Sequence, residues 1–198
     1  MPSRRVSLSD ELKAAVRELP EREKDKLLFR LLPGKPDLVR RLEFELLEDG
    51  NTAELRRDEL LESLNRYLDE AAKNYYSPGY LLMDLRHASG RITEHVKTTR
   101  DKEGELVLNI ALVLHSLPRL TEKIAKAKPG KARTLTKWTV SRIQKILKLL
   151  AKRHPDEWLD YGDDLRDLAK LLRAVPFFER AAVEVGADIA ALERGEVM

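Results

Sequence analysis

Nine basic side chains crowd one stretch of the chain: Lys128, Lys131, Arg133, Lys137, Arg142, Lys145, Lys148, Lys152 and Arg153. Ammonium and guanidinium groups at this density neutralise phosphates and release the counterions condensed on them, which gives affinity for DNA or RNA without reading sequence. Trp138 lies among them, where an indole can stack on a base. Residues 126–153 are therefore the candidate nucleic-acid surface. A competing reading is internal pairing. Asp156, Glu157, Asp160, Asp163, Asp164 and Asp167 follow directly, and two helices joined at His154 and Pro155 would neutralise each other.

A second set, Asp84, His87, Arg91, Glu94 and His95, offers an acid and a base at helical spacing. Intervals of three and four also describe the wet face of an amphipathic helix, and that is the expectation here. His87 and His95 stand about 12 Å apart along a helix axis, too far to share one metal ion. The chain contains no Walker A loop, no H-E-x-x-H and no G-x-S-x-G. Absence of cysteine removes thiol catalysis, disulfides and thiolate metal sites together. No catalytic residue, cofactor site or metal site is expected. Thr139 to Ile143 is similar to the second helix of helix-turn-helix proteins, but about seven to ten residues separate it from the preceding predicted helix, where that motif takes three or four.

The elements that must position these groups are helices. Leu, Ala, Glu, Lys and Arg dominate the 198 residues, and alternating β-branched runs are missing. Proline at a first helical position costs no hydrogen bond, and Pro20, Pro36, Pro78, Pro118, Pro155 and Pro176 each precede a run with apolar residues at spacings of three and four. Ser7 with Asp10 makes a capping-box pattern for a further start. The spacing predicts helices over 8–18, 20–32, 36–48, 52–75, 78–99, 104–117, 119–127, 134–153, 156–174 and 177–193. Residues 106–114 are apolar on all sides and predict a buried central helix, with Asn109 as a satisfied core amide. Ser89-Gly90 in mid-helix reads as a kink or a close helix crossing, with packing the expected cause, and Tyr67, Tyr75, Tyr76 and Tyr80 are expected to pack the corner at Pro78.

Cut at these boundaries, the net charge of +3 resolves into −2 for residues 1–118, +11 for 119–154 and −6 for 155–198. The expected architecture is one all-α domain over 1–198, a compact multi-helix bundle or short α-solenoid of about ten helices in antiparallel hairpins. Within it a basic hairpin, 119–154, precedes acidic C-terminal helices, 155–198. Many helices without recognisable chemistry point to binding rather than catalysis, with protein–protein interaction or scaffolding first and nucleic-acid binding through 126–153 as the alternative. The start of the chain has no apolar run that reads as a signal peptide, and no segment reads as a membrane span, so a soluble, cytoplasmic protein is expected.

Overall fold

Proline punctuation and apolar spacing produce the helices of the computed structural model, which describes residues 6–196. They are α1 (Asp10–Glu18), α2 (Glu21–Leu31), α3 (Pro36–Leu46), α4 (Ala53–Lys73), α5 (Pro78–Thr99), α6 (Lys102–Leu114), α7 (Thr121–Ala125), α8 (Pro129–Leu150), α9 (Gly162–Ala174), α10 (Pro176–Glu184) and α11 (Ile189–Glu193). Three 3-10 segments, Leu32–Gly34, Pro118–Leu120 and Pro155–Tyr161, join them, and no strand occurs among the described residues. The fold is an all-α multi-helix bundle. Among the described residues no helix is long and apolar enough to cross a membrane.

The local signals act as their chemistry dictates, with a few displacements. Pro36, Pro78 and Pro176 open α3, α5 and α10, whereas Pro118 and Pro155 open 3-10 segments. The cap of α1 is Ser9, whose hydroxyl accepts from the Leu12 N–H at 3.3 Å, rather than Ser7. Pro129 and Gly130, which read as a turn, form the first turn of α8 and start that helix five residues before the predicted 134. Pro129 gives up an N–H that would have had no partner there.

The chain divides into two compact units, one ending at Asp49 and the other starting at Gly50. Asp49 and Gly50 both take left-handed backbone angles, φ 52° and 68°, which stop α3 from continuing into α4. The first unit holds α1 to α3 and has Phe44 as its one buried residue among those described.

The second unit carries the core. α5 and α6 pack on each other and on both α4 and α8, and α9, α10 and α11 close the remaining side. Leu64 and Leu68 of α4, Leu85 and Ile92 of α5, Ile143 and Ile146 of α8, and Leu165 and Leu168 of α9 are all buried. Each such side chain contributes about 1.5–3 kcal/mol of hydrophobic stabilisation. α6 is central, touching α4, α5, α8 and α9. It is not enclosed on every side, because Val107, Ala111 and Leu114, at i, i+4 and i+7, remain half-buried while Leu106, Leu108, Ile110, Leu112 and Val113 are buried. Its partners fix the direction of α8: Asn109 meets Arg142, Glu105 meets Lys145 and Glu103 meets Arg153, so the two helices run antiparallel.

Candidate nucleic-acid interface

α8 is 22 residues long, and nothing from residue 123 to residue 155 is acidic. Ala132, Leu135, Val140, Ile143, Ile146 and Leu150 bury one side of it. At 100° per residue, Arg133, Lys137 and Lys148 fall within about 60° of arc on the opposite side, Lys152 follows just past the end of the helix, and Arg133 to Lys148 spans about 22 Å. All four are exposed, as are Lys128 and Lys131 at the start of the helix. None of these six side chains makes an ion pair or hydrogen bond among the described residues.

Three of the nine predicted cations are engaged elsewhere. Arg142 turns inward, its guanidinium donating to Asn109 Oδ1 and to Ser89 Oγ, both at 2.7 Å. It also lies over the Trp138 ring at 5.0 Å. Burial lowers its pKa, with the Glu105 carboxylate acting in the opposite direction. Asn109 is fully buried and closes its own valences through this contact and through Nδ2, which donates to the Glu105 carbonyl at 2.5 Å. Lys145 pairs with Glu105 at 2.7 Å, and Arg153 with Glu103 at 2.5 Å and Glu157 at 3.0 Å. Trp138 is accordingly a half-buried packing residue under a guanidinium rather than an open stacking platform.

The acidic helix does not cancel the basic one. Asp163 pairs with Arg166 at 2.6 Å and Asp167 with Lys170 at 2.7 Å, each one turn away on α9 itself. Within the acidic segment, Glu157 alone reaches an α8-side cation, Arg153. The acids that do reach α8, Glu103 and Glu105, sit in the first turn of α6, some 40 to 50 residues earlier, and sequence reasoning missed them. The signal available was a carboxylate pair at the start of the most apolar helix, where the helix dipole also favours negative charge.

The connection from α7 to α8 is three residues, Lys126 to Lys128, so the spacing that excluded a helix-turn-helix is shorter than the sequence reading gave. α7 is a single short turn of five residues that packs mainly on α9, not the helix-on-helix pair of that motif.

The polar stripe of α5 is drawn apart by its neighbours. Asp84 accepts from the Tyr67 hydroxyl at 2.8 Å, Arg91 donates to Ser63 Oγ at 2.8 Å, and the His87 ring lies tilted against that of Tyr67 with centroids 5.4 Å apart. His95 is buried, not wet, with Nε2 at 3.2 Å from Asp101 Oδ2. Gly90 is exposed with open space around it, so the Ser89-Gly90 pair marks no close crossing; Ser89 serves Arg142 instead. Of the four tyrosines at the corner, Tyr67 and Tyr75 pack, while Tyr76 and Tyr80 face outward as an edge-to-face pair 5.3 Å apart. Among the described residues no three His, Asp or Glu side chains gather in a metal-binding arrangement. No protein-family model, curated protein or solved structure matches this chain.

Proposed function

We propose that the protein binds nucleic acid through the phosphate backbone, using the outward face of α8. The observation that carries this reading is the surplus left after pairing: Arg133, Lys137 and Lys148 stay exposed in one row, with Lys152 just past the end of the helix and Lys128 and Lys131 at its start. Of the neighbouring acids, Asp163, Asp167, Glu105 and Glu103 pair with Arg166, Lys170, Lys145 and Arg153 instead. A single-sign row about 22 Å long matches a ligand whose charge repeats every few ångströms, and Ser141 and Gln144 along it add neutral donors for phosphate oxygens.

The test is fluorescence anisotropy with labelled single- and double-stranded DNA across a salt series. Four to six phosphate contacts give a log–log salt slope of about −4 to −5. Reversing Lys137, Lys148 and Lys152 together to Glu should weaken binding at 50 mM salt by about 100-fold or more. Lys73→Glu on α4, which does not pack on α8, should leave it unchanged. No binding at low salt, or equal loss in the control, overturns the proposal.

A protein partner is the second reading. It is favoured by the apolar side chains that the first unit leaves exposed, among them Leu12, Val16, Phe29, Leu31, Leu46 and Leu47. Affinity capture from the native host should recover one stoichiometric partner that Phe29→Ser with Leu46→Ser releases; equal recovery by the variant would refute it.

A further inference from the structure

On the side of α6 away from α8 the second unit carries a cleft of about 380 Å³, within the range of small-molecule sites. Its floor is the half-buried stripe Val107, Ala111 and Leu114, with Leu61 beside it. Asn65 of α4 stands on one wall and Asp164 of α9 on the other.

Two polar groups in this cleft lack the partners their burial calls for. Asn65 Oδ1 is enclosed and accepts no hydrogen bond. Asp164 is half-buried and makes no ion pair or hydrogen bond among the described residues. Burial, followed by the neighbouring Asp167 and Asp163, raises its pKa. The other polar groups of the rim are already served. The Tyr161 hydroxyl donates to Glu103, and His115 Nε2 lies 2.9 Å from Asp69 Oδ1, which also takes the Arg119 guanidinium. What stays without a partner is the Asp164 carboxylate, open to the cleft, and the Asn65 side-chain amide on the facing wall, beside an apolar floor.

We infer that this cleft binds an alkylammonium group, its hydrocarbon chain on Val107, Ala111 and Leu114 and its N–H donors on Asp164. A carboxylate ligand would meet Asp164 with like charge, and a neutral alcohol would satisfy the acceptor without compensating the buried charge. The same chemistry is borne by a free amine and by a lysine side chain, and the two are separable by experiment.

The test is an amide NMR titration of the full chain with n-butylammonium chloride, n-butanol, sodium butyrate and the amide of N-acetyl-lysine. Saturable shifts at the Asn65 side-chain amide and at the Ala111 and Leu114 amides are expected with n-butylammonium, with n-butanol weaker by about 10-fold and no shift from butyrate. Asp164→Asn should remove the preference for the cation. Ala111→Met, which fills the apolar floor, should weaken n-butylammonium several-fold and decides the question should the first variant not fold. Tighter binding of the lysine amide assigns the site to a peptide side chain, and tighter binding of the bare amine to a free metabolite; both support it. Equal affinity for n-butanol and n-butylammonium, or an unchanged preference in Asp164→Asn, overturns it.

Discussion

Replacing Arg142 by Met separates its structural role from a nucleic-acid role. The substitution keeps an apolar stem of similar length and removes the guanidinium. Two charge-assisted hydrogen bonds at 2.7 Å then disappear, together with the contact over Trp138 at 5.0 Å. Ser89 is half-buried and can turn to water, but Asn109 has no exposure, so its Oδ1 is left as an orphaned buried acceptor. That costs about 1–3 kcal/mol, and the lost cation–π contact a further ~0.5–1 kcal/mol. Against this stands the relief of no longer desolvating the guanidinium, the same burial that lowers its pKa. The net expectation is a destabilisation of about 2–3 kcal/mol.

Asn109→Leu alone should cost a similar amount, because it strands the guanidinium instead. The double variant Arg142→Met with Asn109→Leu removes both partners and should be more stable than additivity gives by about 1–2 kcal/mol. Urea unfolding followed by tryptophan fluorescence reads this directly, since both tryptophans, Trp138 and Trp158, lie in the second unit. Affinity of Arg142→Met for DNA should stay within about 2-fold of the parent, the side chain contributing no phosphate contact to the salt slope. Strict additivity of the two substitutions, or a loss of binding as large as that of an outward lysine, would refute the inward assignment.

Other expectations follow from single contacts. Gly104→Ala should destabilise by about 1–3 kcal/mol, because a Cβ there would stand 2.8 Å from Asp101 Cγ, the residue that caps α6 by accepting from the Gly104 N–H at 2.7 Å. Gly90→Ala, in an exposed helix interior with open space, should instead stabilise by about 0.5–1 kcal/mol; thermal melts separate the two signs. Burial, then the hydrogen bond to Asp84 and its charge, pushes the Tyr67 pKa up to about 12. The contribution of that neutral hydroxyl is full below the unfolded value of 10 and is lost as pH rises from there toward 12, so Tyr67→Phe should flatten the alkaline limb of a stability profile measured by urea titration. Glu105→Gln releases Lys145 to solvent and should tighten DNA binding by a few-fold, where a decrease would contradict its pairing role.

Long amphipathic helices were legible because their apolar residues alone report which face is buried. Leu64, Leu68 and Ala72, or Leu81, Leu85, Ala88 and Ile92, lie inside as their spacing predicts. Asn109 was legible as a satisfied core amide, though not its partner. Misreadings arose where the sequence signal is local and the deciding contact is not. Pro129-Gly130 has turn composition, yet the helix extends through it because Ala132, Leu135 and Thr136 bury against the core. A helical wheel places Arg142 on the edge of the apolar stripe and stops at its own axis; acceptors on two other helices, Asn109 and Ser89, draw the guanidinium inward. Adjacency also overstated the acidic segment, since an aspartate with a base one turn away on its own helix need not reach across to another.

Charge on α8 is sorted by the direction in which it meets α6. The helices run antiparallel, so the first turn of α6, with Glu103 and Glu105, lies against the last turns of α8. That places carboxylates where the positive end of one helix dipole and the cations of the other both favour them, and it neutralises Lys145 and Arg153. The reach of a side chain limits the effect to this edge. Arg133, Lys137 and Lys148 point from the opposite side of the helix, Lys152 stands just past its end, and none of the four pairs with either glutamate. Their charge therefore survives folding unpaired, and the overall +3 understates the field that a polyanion approaching α8 would meet.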